Sequence, residues 1–262
     1  MKKPLIMITN DDGIKSPGLL AAAKAAEPYG DLLVVAPNRQ QTGMARAFPR
    51  TEETGRIEKV EMCLGTRKHT AYAVHGSPAL AVAHGVVELS ERKPDLCISG
   101  INYGENLGTT ITCSGTLGAA FEANSYGIPG IAVSMAMEYG KYRSEEFDEV
   151  DWEPAKMILG KFIEDVLVQG MPEKTDIWNI NVPAELKGPI AYRITTQSKQ
   201  NNYYFVKPEK RELDKPYRLK SVQYVDMKSL EKDSDIYTVY VENKISVTPL
   251  SMDMSVHMAV AK

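Results

Sequence analysis

Cysteine is scarce in this chain. Its three residues, Cys63, Cys97 and Cys113, are an odd number without framework or ligand spacing, so neither a disulfide scaffold nor a zinc knuckle is encoded. Cys97 lies inside an apolar run and reads as a core residue, which fits a reducing cytoplasm. Long hydrophobic runs are missing: none approaches bilayer length, and the stretch after Met1-Lys2-Lys3-Pro4 is too short for a signal-peptide core. A cytoplasmic location is therefore expected. Charge of one sign is not in excess either. With 31 Lys and Arg against 34 Asp and Glu the formal charge is -3, which argues against a nucleic-acid or membrane-binding surface. The four histidines, His69, His75, His84 and His257, have no metal spacing and are given no catalytic role. Also absent are a P-loop, a Gly-x-Ser-x-Gly elbow and the Asp-x-Asp-x-Thr/Val of aspartyl-phosphate phosphatases.

What is present is an ordinary globular composition, 43% hydrophobic and 25% charged over 262 residues, enough for one large α/β domain with an appendage. Short aliphatic runs at Leu5 to Ile8, Leu32 to Ala36, Ala71 to His75, Leu96 to Ser99 and Gly130 to Ser134 read as buried strands. Between them, Pro17 to Ala26 (capped by Ser16), Pro78 to Leu89 and Ser114 to Tyr126 read as helices. Such alternation implies βαβ units around a mostly parallel sheet. Tyr139 to Asp151 reads as a surface loop, Trp152 to Val168 as an amphipathic helix, and Ile177 to Val182 as a further strand. Beyond about Gln197 the composition turns to lysines, acids and tyrosines. There, Tyr203 to Val206 and Ile236 to Val241 predict an extended hairpin or arm, either a subunit contact or a surface excursion, before a late strand at Ile245 to Leu250. The domain reading is a core over 1–196 and a C-terminal extension over 197–262.

Four segments carry chemistry. In Thr9-Asn10-Asp11-Asp12-Gly13, two carboxylates follow a strand and precede a helix, the place where open α/β sheets bind ligands. Adjacent acids repel, and a divalent cation is the natural remedy; an Asx turn with one acid capping the helix is the plain alternative. Ser99-Gly100-Ile101-Asn102-Tyr103-Gly104-Glu105-Asn106 offers two asparagine amides on a glycine-rich loop, either hard oxygen donors for Mg²⁺, Mn²⁺ or Ca²⁺ or simply turn residues. Ser114-Gly115-Thr116 opens a helix and reads as a phosphate cradle or as ordinary capping. In Ala36-Pro37-Asn38-Arg39-Gln40-Gln41-Thr42-Gly43, Thr42 is a candidate metal hydroxyl and Arg39 a candidate phosphate partner.

In this order, these motifs closely resemble the SurE family of survival-protein nucleotidases, with Asn179-Ile180-Asn181-Val182-Pro183 and Ser246 to Leu250 as further matching segments. The resemblance implies a Rossmann-like α/β core and a C-terminal extension that exchanges between subunits in dimers or tetramers. It implies a divalent metal, Mg²⁺ or Mn²⁺ with Ca²⁺ as an alternative bound ion, held by Asp11, Asp12, Thr42 and Asn102. Asn106, Ser114, Gly115 and Thr116 would hold the phosphate, and Asp11 or Asp12 would act as base in metal-assisted hydrolysis of nucleoside monophosphates (a 5′/3′-nucleotidase and acid phosphatase). Three departures stand out: Thr42 replaces serine, Gly76-Ser77-Pro78-Ala79-Leu80-Ala81 lacks an expected aspartate and cysteine, and Cys113 replaces an aromatic residue. The second change bears on nucleotide preference and motivates the rival expectation of a nucleotide-binding regulator with little turnover. A sugar-nucleotide transferase is a third possibility, which the asparagine loop does not call for.

Overall fold

The computed structural model describes residues 2–137, 147, 149–186 and 190–255. Leu5–Thr9 (β1) is central. It pairs in parallel with Asp31–Pro37 (β2) on one side and with Leu96–Tyr103 (β5) on the other. Alternation along β1 sends Ile6 and Ile8 to one face and Met7 to the other. Under the first face pack Pro17–Ala26 (α1) and Glu153–Gln169 (α4), through Leu19, Ala22, Ile158 and Phe162. Under the second pack Pro78–His84 (α2) and Gly115–Ser125 (α3), through Ala81, Val82, Ala119 and Ala123. The result is a three-layer α/β fold of Rossmann type.

The complete sheet has nine strands. From one edge the order is Ile57–Leu64 (β3), Arg67–Val74 (β4), β2, β1, β5, Gly130–Met135 (β6), Ile177–Val182 (β7), Ile245–Leu250 (β11) and Tyr192–Ile194 (β8). β4, β2, β1, β5, β6 and β7 are mutually parallel. β3 joins β4 as an antiparallel hairpin at one edge, and β11 runs antiparallel to β7 at the other, with β8 parallel to β11. The chain leaves β1 toward β2 and later returns to β5 on β1's other side. The carboxyl ends of β1 and β5 thus flank a topological switch point, the crevice in which such sheets bind ligands.

Several expectations need correction. Ile236 to Val241 is not an arm strand: Asp235–Tyr240 is a helix (α5). The Ser234 hydroxyl accepts the Tyr237 amide at its start, and Ile236 and Val239, three apart, bury against Leu107 and Leu230. The partner of Tyr203–Phe205 (β9) is instead Ser221–Gln223 (β10), an antiparallel two-stranded sheet. The helix expected over Pro78 to Leu89 is α-helical only to His84 and ends in a π-turn over Gly85–Leu89. β3 was not foreseen. Ser16 holds the cap position of α1, but its buried hydroxyl makes no cap bond. The surface loop expected over Tyr139 to Asp151 lies largely outside the described residues.

Candidate active site

The turn after β1 shows how the two acids are freed for other work. Asn10, not an aspartate, closes it: its Oδ1 accepts the Gly13 amide at 3.1 Å and its Nδ2 donates to the Gly13 carbonyl at 3.2 Å. Gly13 sits at φ +96, with the Arg39 carbonyl carbon 2.9 Å from where a Cβ would be, so only glycine fits. With the turn satisfied by Asn10, the Asx-turn alternative has no need of Asp11 or Asp12.

Both acids are nonetheless buried, at 3% and 4% exposure. Asp11 Oδ1 accepts the Thr116 hydroxyl at 2.7 Å, and the Asp11 carbonyl accepts the Gln41 amide, tying the Thr42 loop to the end of β1. Asp12 Oδ2 accepts the Tyr103 amide at 3.0 Å, and its Oδ1 accepts Gln40 Nε2 at 3.3 Å. Burial pushes the Asp11 carboxyl up to about 6 in spite of its bond from Thr116. Burial, with the Asp11 charge beside it, pushes Asp12 higher, to about 8. A pair held this way resists double ionisation unless a cation compensates it.

In front of Asp11 opens a cavity of about 420 Å³. Asp11, Thr42, Asn102, Asn106 and Ser114 all line it, so five of the eight predicted site residues meet at one surface. Asp12, Gly115 and Thr116 are buried next to these residues in sequence and do not themselves line it. Arg39 is exposed and does not line it, and among the described residues no Lys, Arg or His does. His75 and His84, assigned no chemistry, pair with Glu58 and Glu88, both at 2.8 Å.

Each loop presents a particular atom. Asn102 Nδ2 donates to the Gly104 carbonyl at 2.7 Å, which leaves Oδ1 as the atom available to a cation. Ser114 Oγ caps α3 by accepting the Leu117 amide at 3.2 Å, and the first-turn amides of Gly115 and Thr116 have no intrahelical acceptor. Asn106 is more constrained than its sequence context indicated. Its Nδ2 donates to Ser134 Oγ at 2.8 Å and to Thr116 Oγ1 at 3.3 Å, so in this conformation it organises the cradle from within.

Other contributors escaped the sequence reading. Asn181 Oδ1 accepts the Asn106 amide at 2.7 Å, while Asn181 and Asn179 both donate to the Asn106 carbonyl, at 3.0 and 2.9 Å. Two asparagines at alternate positions of a strand buried throughout were the available signal, because buried polar side chains need partners. Glu105 is likewise buried and accepts hydrogen bonds from Tyr203 Oη at 2.6 Å, Tyr240 Oη at 2.5 Å and Asn202 Nδ2 at 3.3 Å. It joins the asparagine loop to the C-terminal segment. No local pattern announced it.

Fold and site define a Rossmann-like α/β protein with an acidic, oxygen-rich site at the switch point of its sheet. The family model for Survival protein SurE matches residues 6–203. Relatives named 5′-nucleotidase SurE include one from Methanosphaera stadtmanae, 38% identical over 98% of each chain, and one from Methanocella arvoryzae, 38% identical over 95% of this chain and 92% of that one. The crystal structure of the SurE protein from Aquifex aeolicus superposes with a TM-score of 0.72 at 30% identity, covering 96% of this chain and 95% of that one. The chain belongs to the SurE family.

Proposed function

We propose that the protein is a divalent-metal-dependent phosphomonoesterase acting on nucleoside monophosphates, a 5′/3′-nucleotidase with acid-phosphatase character. One observation carries the reading. The cavity at the helix-N-terminal cradle is lined by Asp11, Glu105 and uncharged oxygen donors, and among the described residues no basic side chain lines it to meet a phosphate dianion. The missing positive charge is what a divalent ion supplies, and the donors suit a hard cation: carboxylates of Asp11 and Asp12, the Asn102 carbonyl and the Thr42 hydroxyl. Such an ion, when bound, polarises a phosphoryl oxygen and acidifies a coordinated water.

The chain's own groups do the rest. Amides of Gly115 and Thr116 at the N-terminus of α3, with the Ser114 hydroxyl, meet the phosphate oxygens and offset charge that grows as the ester bond breaks. Thr116, donating to Asp11 Oδ1, fixes that carboxylate, and its other oxygen is left to orient a nucleophilic water and accept its proton. Asn106 keeps Thr116 in place. Among the described residues no helix is long and apolar enough to cross a membrane. The buried free thiol of Cys97, pushed up to about 12, is consistent with a cytoplasmic protein, and the exposed β9–β10 arm with a homodimer or homotetramer.

The test is phosphate release from a panel of nucleoside 5′- and 3′-monophosphates and an aryl phosphate with Mg²⁺, Mn²⁺ or chelator, beside Asp11→Asn. Release that requires metal and vanishes in the variant is the expected result. Folded protein that binds metal and nucleotide but releases no phosphate with any ion would make the protein a nucleotide-binding regulator instead.

A further inference from the structure

The cavity has a second end that the phosphate chemistry does not use. Opposite Asp11 and Ser114 its wall is made by the arm: Asn201, Tyr203, Phe205 and Ser221 all line it. Side chains alternate along a strand, so Tyr203 and Phe205 share one face of β9, and Ser221 lies across from Phe205 in the register of β10. That face is fixed in place, because the Tyr203 hydroxyl donates to the buried Glu105 carboxylate at 2.6 Å, in the same loop that carries Asn102 and Asn106. Phe205, two residues on, is 70% exposed. Tyr204 also borders the cavity, but its ring faces Tyr224, with centroids 6.0 Å apart. A large apolar ring left open at the rim of a polar cavity, beside a fixed neighbour, is a stacking surface without its partner.

We infer that this face of the β9–β10 hairpin is the base subsite, with Phe205 stacking on the nucleobase of the nucleotide whose phosphate lies at the N-terminus of α3. The inference rests on the nucleotidase reading and adds its specificity element. The chemistry at that end suits a flat, neutral group. Among the described residues the only charged side chain lining the cavity besides Asp11 is Glu105, whose Oε1 accepts from Tyr203, Tyr240 and Asn202. The Asn201 amide, whose Oδ1 accepts the Thr109 hydroxyl at 3.1 Å, and the Ser221 hydroxyl give polar edges beside the ring. Stacking itself tolerates any base. Selectivity for nucleotides over other monoesters would then be set by the C-terminal segment, and the phosphate chemistry by the parallel core.

The experiment compares adenosine 5′-monophosphate with ribose 5-phosphate, which keeps the phosphate and sugar but has no base. Equilibrium affinities for both are measured with wild type, Phe205→Ala and Phe205→Trp, and phosphate release is followed in parallel. Base stacking on one aromatic ring is worth about ten- to a hundredfold in affinity. Phe205→Ala should therefore lower the ratio of nucleotide to ribose 5-phosphate affinity about tenfold or more, and Phe205→Trp should restore it. Because the ring is largely exposed, its truncation leaves the core packing alone. An equal loss for both ligands would make Phe205 a general support of the arm and overturn the subsite, as would an unchanged ratio. If the ratio falls as expected but no phosphate is released by any of the three proteins, the subsite stands and the nucleotidase reading fails.

Discussion

Replacing Asp12 by asparagine should make the metal-free protein more stable and the enzyme inactive. Burial and the neighbouring Asp11 hold the Asp12 carboxyl at about 8, far above the ordinary 3.8. In the folded apo protein Asp12 therefore keeps its proton over a pH range in which the unfolded chain has lost it. Stability falls as pH rises through that range, by about 1.4 kcal/mol per pH unit for the one proton. The window runs from the ordinary carboxylate value up to about 8, and its accumulated cost is about 6 kcal/mol at most. Asparagine is neutral at every pH, nearly isosteric, and keeps an oxygen for the Tyr103 amide. Its NH₂ can face Gln40 once that side-chain amide is turned over. After some relaxation of the pair in the wild type, the gain above about pH 8 should be roughly 2–3 kcal/mol, or 5–10 °C in melting temperature.

The measurement is thermal unfolding of both proteins in chelator at about pH 5 and about pH 8.5, near the two ends of that window. The variant should melt well above wild type at the higher pH and within about 1 kcal/mol of it at the lower, where the wild-type carboxyl is already neutral. Saturating Mn²⁺ should narrow the difference at high pH by stabilising the wild type more. Phosphate release by the variant should fall about a hundredfold or more. A variant that melts below wild type in chelator at high pH, or a difference that grows toward low pH, would refute the buried-charge account.

Three further outcomes follow from the same geometry. Asn181→Ala strips the Asn106 amide of its 2.7 Å acceptor and one donor from its carbonyl; the buried amide then costs about 1–3 kcal/mol, and kcat/KM should drop about ten- to a hundredfold, with unchanged kinetics counting against a positioning role. Glu105→Gln keeps an oxygen for the Tyr203 and Tyr240 hydroxyls but takes the charge out of both bonds and should cost about 2 kcal/mol, read as a lower unfolding midpoint and faster amide exchange in β9; exchange at the wild-type rate would show that the arm is held elsewhere. Gly115→Ala puts a Cβ 2.7 Å from Asp11 Cβ and 2.9 Å from its Oδ2, so metal titration should show affinity weakened about tenfold or more while the protein remains folded, and wild-type affinity would mean the carboxylate moves aside freely.

The parallel core was legible because strands buried on both faces are written as uninterrupted apolar runs: Leu5 to Ile8, Leu32 to Ala36 and Leu96 to Ser99 all fall within observed strands. β3 was illegible for the complementary reason. An edge strand has a wet face, and Glu58, Lys59 and Glu61 make Ile57–Leu64 read as a polar surface stretch. Asp235–Tyr240 misled through its β-branched and aromatic residues, whose strand preference lost to the Ser234 cap and to burial against Leu107. At the site, residue types and their closeness to strand ends pointed to Asp11, Thr42, Asn102, Asn106 and Ser114. Which residue would close the turn and which acid would face the cavity depended on contacts from elsewhere: the Tyr103 amide that holds Asp12 is 91 positions away. The same holds for Asn179 and Asn181. Their partners belong to a loop 73 and 75 positions earlier.

Those two asparagines show why the C-terminal strand matters to a site built from the first half of the chain. β7 would be an edge strand without β11, and its asparagine side chains would have hydration as an alternative to the Asn106 backbone. In the full sheet, β11 places Ser246 opposite Asn181 and Thr248 opposite Asn179. Thr195 Oγ1 lies 2.8 Å from both hydroxyls, so the face is sealed by a hydrogen-bonded polar ladder and not by apolar packing. Beside them in register, Asn179 and Asn181 begin a second run of hydrogen bonds that passes to Asn106, from there to Thr116, and ends on Asp11 Oδ1. Every member is buried, and Asn179 Oδ1 already lacks a hydrogen-bond partner among the described residues, so a further lost partner is costly in this low-dielectric setting. The run that holds Asp11 therefore starts on a strand whose outer neighbour, β11, lies almost at the end of the described chain. Loss of β11 should therefore disable the site before it unfolds the parallel core.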